Sequence, residues 1–277
     1  MYLVFDIGGT NTRLGVSQDG IKIDKTAHLH TNPNSYTEAI AAFEKTAKEL
    51  IGDEKVSGIA GGIPGPIDHD RGVIIAAPNL PDWHDKPFRD DLQDRFSAPG
   101  YLENDAAVIC LGEARQGAGK DHQIVVYMTV STGIGGCRVV NQKVDVNARG
   151  FEPGHQVMTD RGIKCACGSY NHLEAIAGGA SLEKKHGKPP EEIKDPEVWQ
   201  EVTRDLAAGL NNVIMLWSPD IVIIGGSIMK SVDIRELHTE VDRTTTIFRD
   251  IPEFVPPMLG EEGGLLGGLA LIASHQN

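Results

Sequence analysis

Five stretches of the chain carry residue types suited to chemistry. Asp6-Ile7-Gly8-Gly9-Thr10-Asn11-Thr12 follows an apolar run. Glycine N–H groups can reach phosphate oxygens there, Thr10 can donate a further hydrogen bond, and Asp6 can face a metal ion. The spacing is not GxxxxGK[ST]. The chain turns back into a strand, so no helix dipole is implied, and a plain hairpin turn is the alternative. Ser131-Thr132-Gly133-Ile134-Gly135-Gly136 repeats the chemistry, and Gly225-Gly226 follows a short apolar run. Together these loops favour a nucleotide clamped between two lobes. Glu103-Asn104-Asp105-Ala106 stands at a strand-to-helix junction. Asp105 either caps that helix or, in a cleft, accepts a proton from a substrate hydroxyl. Last, His155, Cys165, Cys167 and His172 fall within 18 residues among Gly and Pro turns. Two thiols and two imidazoles suit a closed tetrahedral zinc site, with a loop of free thiols as the other reading. Glu152 and Glu174 bracket the cluster and can hydrogen-bond a hydroxyl-rich substrate.

Strands and helices must position these groups. Residues 2–7 read as a strand, and 13–23 as two strands around a turn at Gln18-Asp19-Gly20. A helix is expected from Ser35, with Ser35 and Glu38 as a capping box and Ile40, Phe43, Ala47, Leu50 and Ile51 on one face. Residues 55–60 read as a strand entering a turn over 61–66, and 73–77 as another short strand. The pattern then restarts. Residues 123–130 form a strand ending at the second loop, and 138–146 alternate about Asn141-Gln142. Between the two halves, 105–116 is helical. A long helix starts at Asp195-Pro196, a buried strand covers 221–224, and 263–274 reads as a buried helix. Two lobes of similar βαβ design are expected.

Composition narrows the classes. The 277 residues are 40% apolar and 23% charged, which is globular, and allow two lobes. A net charge of −13 speaks against general nucleic-acid binding. Four cysteines do not make a disulfide scaffold, and no leader or span-length apolar run is evident, so a cytoplasmic protein with no membrane partner is expected.

Taken in order, these pieces resemble the ROK family (repressor, open reading frame, kinase) of sugar kinases over essentially the whole chain. Asp6–Arg13 is similar to its first phosphate loop. Pro64-Gly65-Pro66-Ile67-Asp68 resembles its PGP turn, and 77–83 (Ala-Pro-Asn-Leu-Pro-Asp-Trp) its sugar-contacting segment. Glu103–Ala106 resembles the segment holding the catalytic Asp, and Ser131–Gly136 the second phosphate loop. Glu152-Pro153-Gly154-His155 matches ExGH, and Cys165–Glu174 the CxCGxxGCxE zinc motif. The resemblance implies an α/β, two-lobed actin-like ATPase (ribonuclease H-like) fold, with sugar and nucleotide in the interlobe cleft. The lobes are expected at 1–107 plus 263–277 and at 108–262. Asn79, Asn104, Asp105, Glu152, His155 and Glu174 would bind sugar, with Asp105 as base. Asp6, Gly8, Gly9, Thr10, Asn11, Thr132, Gly133, Gly225 and Gly226 would bind ATP with Mg²⁺. Structural Zn²⁺ would be held by His155, Cys165, Cys167 and His172.

The chain departs from the family pattern twice. Asn171-His172 replaces the Gly-Cys of the zinc motif, giving a Cys₂His₂ set, and Asn11 stands where Lys is common. The expected activity is ATP-dependent phosphorylation of the 6-hydroxyl of glucose or a related hexose, in a homodimer. N-acetylglucosamine, N-acetylmannosamine, mannose, fructose and allose are alternative substrates, and polyphosphate an alternative donor. Zinc loss is expected to weaken sugar binding more than ATP binding. The family also contains sugar-responsive transcriptional regulators. Those carry a DNA-binding domain ahead of the first loop, where only five residues precede Asp6 here, so this reading is disfavoured.

Overall fold

The computed structural model describes residues 1–77 and 79–276. The chain forms two compact units. One comprises Met1–Lys120, Gln142–Gly150 and the chain from Met258. The other comprises Asp121–Asn141 and Phe151–Pro257.

The first unit holds β1 (Tyr2–Ile7), β2 (Asn11–Ser17), β3 (Lys25–His30), α1 (Tyr36–Ile51) and β4 (Gly58–Ile63). It continues with β5 (Ile67–Asp68), β6 (Val73–Ile74), α2 (Phe88–Phe96), β7 (Gly100–Asn104) and α3 (Asp105–Gln116). Its sheet has the order β3-β2-β1-β4-β7. β1 to β3 are antiparallel hairpins, and β1, β4 and β7 run parallel. Leu3, Phe5, Leu14, Ile40, Phe43, Ile59, Ile63 and Phe88 fill the core beneath α1 and α2.

The chain next forms β8 (Ile124–Val130), β9 (Ile134–Val140), β10 (Lys143–Val144), α4 (Leu173–Ala177), α5 (Gly179–His186) and α6 (Pro196–Trp217). β11 (Ile221–Gly225), α7 (Ile234–Thr244), β12 (Glu253–Val255) and α8 (Gly263–Gln276) complete it. The second sheet has the order β10-β9-β8-β11-β12, the same permutation of strands as the first. The expected repeat of design is therefore present. α6 starts where Asp195 accepts from the N–H of Glu197, and buries Val202, Leu206, Leu210 and Val213. No helix among the described residues is long and apolar enough to cross a membrane.

α8 belongs to the first unit, packed on α3, β4 and β1. The crossing is close: a Cβ on Gly267 would stand 1.9 Å from the carbonyl oxygen of Val108. This packing keeps α3 in the first unit, so the chain leaves it after Lys120 rather than at the expected 107. The fully buried Glu113 closes the end of α3. Its carboxylate accepts from the N–H of Ala118 at 2.8 Å and of Leu259 at 2.8 Å.

Several boundaries differ from expectation. Residues 21–23 are not a return strand. Asp19 accepts from the N–H of Ile21 and Lys22, and Asp24 from that of Gln18, so the turn runs on and pairing resumes at Lys25. Gly61-Gly62-Ile63 is strand, not turn, and the strand starts at Gly58. β4 lies between β1 and β7 with no space for a side chain at Gly61, where a Cβ would meet the Phe5 carbonyl at 2.1 Å. The strand after Val73 ends at Ile74, its partner being the two-residue β5. β9 starts at Ile134, inside the glycine-rich stretch. Only half of the capping box forms: Ser35 accepts from the N–H of Glu38, while the Glu38 carboxylate accepts from Asn32.

Candidate active site

In the first unit the Gly8–Asn11 loop is a tight turn between β1 and β2, closed by the N–H of Gly8 donating to the Asn11 carbonyl at 2.8 Å. The next two N–H groups, of Gly9 and Thr10, have no partner among the described residues. Paired free amides in a tight turn make an anion cradle. Asn79 packs against this loop: a Cβ on Gly9 would stand 2.9 Å from that of Asn79. Asp6 lies one residue before the end of β1, 19% exposed, with Arg13 opposite it on β2 at 3.9 Å. Burial first, and then the charge of Asp105, lift the Asp6 carboxyl to about 6, against the pull of Arg13.

Asp105 is the first residue of α3 but does not cap it. Asn104 does, its Oδ1 accepting from the N–H of Ala106 and Ala107 at 3.0 and 3.4 Å. The Asn104 Nδ2 reaches the carbonyl of Gly65, in the Pro64–Pro66 turn, at 3.4 Å. The cap is thus filled by the neighbour, and the Asp105 carboxylate accepts from the adjacent N–H of Ala106 and from its own N–H. Burial raises its pKa, and those two hydrogen bonds offset part of the rise.

The second unit repeats the loop. The N–H of Ser131 donates to the Gly133 carbonyl at 2.9 Å, and the N–H groups of Thr132 and Gly133 are left without partners among the described residues. Gly226 follows β11 with φ 102°, and the hydroxyls of Ser131 and Ser227 meet at 3.2 Å. Gly225-Gly226 therefore flanks this loop.

Beside it lies the cysteine–histidine cluster. The Nδ1 atoms of His155 and His172 are 3.1 Å apart. Cys167 Sγ is 3.4 Å from His172 Nδ1, and Cys165 Sγ is 3.9 Å from His155 Nδ1. All four donor atoms lie within 4.8 Å of one another. Tetrahedral zinc, with bonds of about 2.0–2.1 Å to nitrogen and about 2.3 Å to sulfur, spaces its ligand atoms roughly 3.3–3.8 Å apart. The donor set and its spacing fit zinc. Burial pushes the Cys165 thiol up and His172 down, which favours the neutral forms of both. His155 turns its Nδ1 to the cluster and its Nε2 to Glu152, 4.0 Å away. Gln156 steadies this loop, donating to Pro153 and accepting from Asn212. Glu174 lies in the first turn of α4, and its Oε2 accepts from the N–H of Ile134 at 2.9 Å.

The motif residues thus fall into two constellations. Asp6, Gly8, Gly9, Thr10, Asn11, Asn79, Asn104 and Asp105 are in the first unit. Thr132, Gly133, Glu152, His155, Cys165, Cys167, His172, Glu174, Gly225 and Gly226 are in the second. Sequence reasoning missed Arg13 as the partner of Asp6. The hairpin register carries that signal, because a turn centred on Gly9-Thr10 sets residues 6 and 13 opposite. It also missed Gln156, for which no local pattern exists.

The chain resembles proteins of known activity throughout its length. It is 31% identical to a glucokinase of Thermotoga maritima, over 96% of this chain and 95% of that one. The structure of a ROK hexokinase from Thermus thermophilus matches with a TM-score of 0.87 and 30% identity, covering 99% of each chain. A ROK glucokinase from Streptomyces griseus, solved with glucose and AMPPNP, matches with a TM-score of 0.81 and 26% identity, over 100% of this chain and 99% of that one. These matches carry the two-lobed actin-like ATPase fold that the repeated sheets display. With the ROK family model matching residues 2–275 as well, the chain belongs to the ROK family.

Proposed function

We propose that this sugar kinase transfers the γ-phosphoryl group of ATP to the 6-hydroxyl of glucose. The observation that carries the reading is Asp105: a partly buried carboxylate of raised pKa at a helix start whose cap is already filled by Asn104. It accepts the hydroxyl proton as the sugar oxygen attacks phosphorus and the bond from phosphorus to the β-γ bridging oxygen breaks, releasing ADP. A carboxylate of higher proton affinity is the better base. The free N–H pairs at Gly9-Thr10 and Thr132-Gly133 are suited to hold phosphate oxygens and stabilise the charge in transfer.

Asp6 would hold Mg²⁺, which supplies neutralisation of phosphate charge. Two nearby carboxylates with one lifted to about 6 are an arrangement that a cation relieves. Asn79, Asn104, Glu152, His155 and Glu174 would hydrogen-bond ring hydroxyls. Zinc held by His155, Cys165, Cys167 and His172 would supply cross-links to that loop rather than Lewis-acid chemistry. With one His155 nitrogen fixed, the tautomer presented by the other is set.

A panel of hexoses, with ATP or polyphosphate as donor, tests this through kcat/KM. Glucose with ATP should rank first. A higher kcat/KM for N-acetylglucosamine or N-acetylmannosamine, or for polyphosphate as donor, overturns the corresponding assignment.

A further inference from the structure

One carboxylate joins the metal-ligating loop to the second phosphate loop. Glu174 stands two residues after His172, and its Oε1 lies 3.8 Å from Cys165 Sγ. Its Oε2 accepts from the N–H of Ile134. The fit leaves no slack, since a Cβ on Gly133 would stand 2.4 Å from that oxygen. The same short segment grips the loop again: the N–H of Gly179 donates to the Ser131 carbonyl at 2.7 Å, and that of Ala180 to the Thr132 carbonyl at 2.9 Å. Between them, α4 is anchored by the buried Leu173, Ala175, Ile176 and Ala177. Three hydrogen bonds from residues 174–180 therefore fix the loop and leave the N–H groups of Thr132 and Gly133 presented to a ligand.

We infer that Glu174 is a positioning residue for the Ser131–Gly136 loop, through which order in the cysteine–histidine loop reaches the nucleotide. This rests on reading Ser131–Gly136 as a phosphate loop. An acceptor-only group suits the role, because it cannot turn a donor toward the amide of Ile134. The Oε1 atom remains for a sugar hydroxyl, so the two roles coexist on one side chain. Loss of metal would then weaken nucleotide binding as well as sugar binding.

The test uses the full chain. AMPPNP and glucose affinities are measured separately by calorimetry, and amide hydrogen exchange is followed across residues 131–136. Glu174→Ala should raise the AMPPNP Kd about tenfold without sugar present, the loss of one hydrogen bond to a charged acceptor. It should also speed exchange at Ile134. Glu174→Gln keeps the volume and an acceptor oxygen, and should restore most of the nucleotide affinity. Gly133→Ala should weaken AMPPNP with Glu174 still present. Chelation of the metal should speed exchange at Ile134 in the same way. An AMPPNP Kd within about twofold of wild type for Glu174→Ala, with Ile134 still protected, overturns the inference. If wild type binds no AMPPNP while Glu174→Ala still accelerates exchange, the ATP assignment falls and the tie stands.

Discussion

Asparagine at position 6 should leave the protein more stable and less active. Asp6 is 19% exposed, and burial and the charge of Asp105 lift its carboxyl from the ordinary 3.8 to about 6. The folded state thus binds this proton more tightly than the unfolded chain. The stability contributed is complete below about pH 4 and is lost as pH rises through about 6. Taking about 1.36 kcal/mol for each tenfold change in proton affinity, the ionised carboxylate costs the fold about 3 kcal/mol at pH 7.5. Asp6→Asn removes the charge at nearly constant shape. Its melting temperature should exceed that of wild type by on the order of 6–12 °C at pH 7.5, and the gap should vanish near pH 4. Differential scanning fluorimetry at pH 4, 5, 6 and 7.5, with urea titrations at the two extremes, measures it. Saturating Mg²⁺ should narrow the gap by stabilising wild type alone. A variant that melts below wild type at pH 7.5, or a gap that does not change with pH, would refute the reasoning.

Asp105→Asn should cut kcat far more than tenfold while glucose binding persists; retention of over about a tenth of kcat, a barrier change under ~1.4 kcal/mol, would exclude it as base. With Asp105 as base, kcat should fall as pH drops, its midpoint above the ordinary aspartate range because burial raises that pKa; a midpoint at or below 3.8 contradicts the assignment. Protein purified without chelator should carry about one zinc per chain, and Cys165→Ser should lower both zinc content and melting temperature; no zinc alongside full sugar affinity would dismiss the metal. Glu113→Gln should destabilise the fold by roughly 2–4 kcal/mol, because both carboxylate oxygens accept backbone N–H groups in a buried setting and an amide offers one acceptor only. A melting temperature equal to that of wild type would show those bonds to be dispensable.

The strand-loop-strand repeat was legible because its glycines and apolar runs sit at matching places, and the two sheets share one strand order. β3 was not. Its residues, Lys25–His30, alternate between exposed and half-buried, so the edge strand carries no apolar signal, and its position depends on two aspartate side chains in the preceding turn. Gly61-Gly62 reads as a turn locally. Only its neighbours on both sides make it a strand. The site shows the same division. Residues in contiguous motifs were found as candidates, whereas Arg13, Gln156 and the Glu174 bond to Ile134 depend on register and packing between segments. Asp105 was named from its motif, yet its freedom from capping follows from Asn104, which the spacing does not reveal.

The return of α8 to the first unit bears on how the polypeptide is made. α8 buries ten residues, Gly263–Ile272, in a unit whose sheet was translated first. On a ribosome moving at about 5–20 residues per second, that sheet waits on the order of ten seconds or more with the surface for α8 uncovered. The described residues of the second unit end at Pro257, so it can finish folding before the one that precedes it in the message. A chain cut short before Gly263 would expose apolar surface on β1 and β4 and lose the support that holds α3.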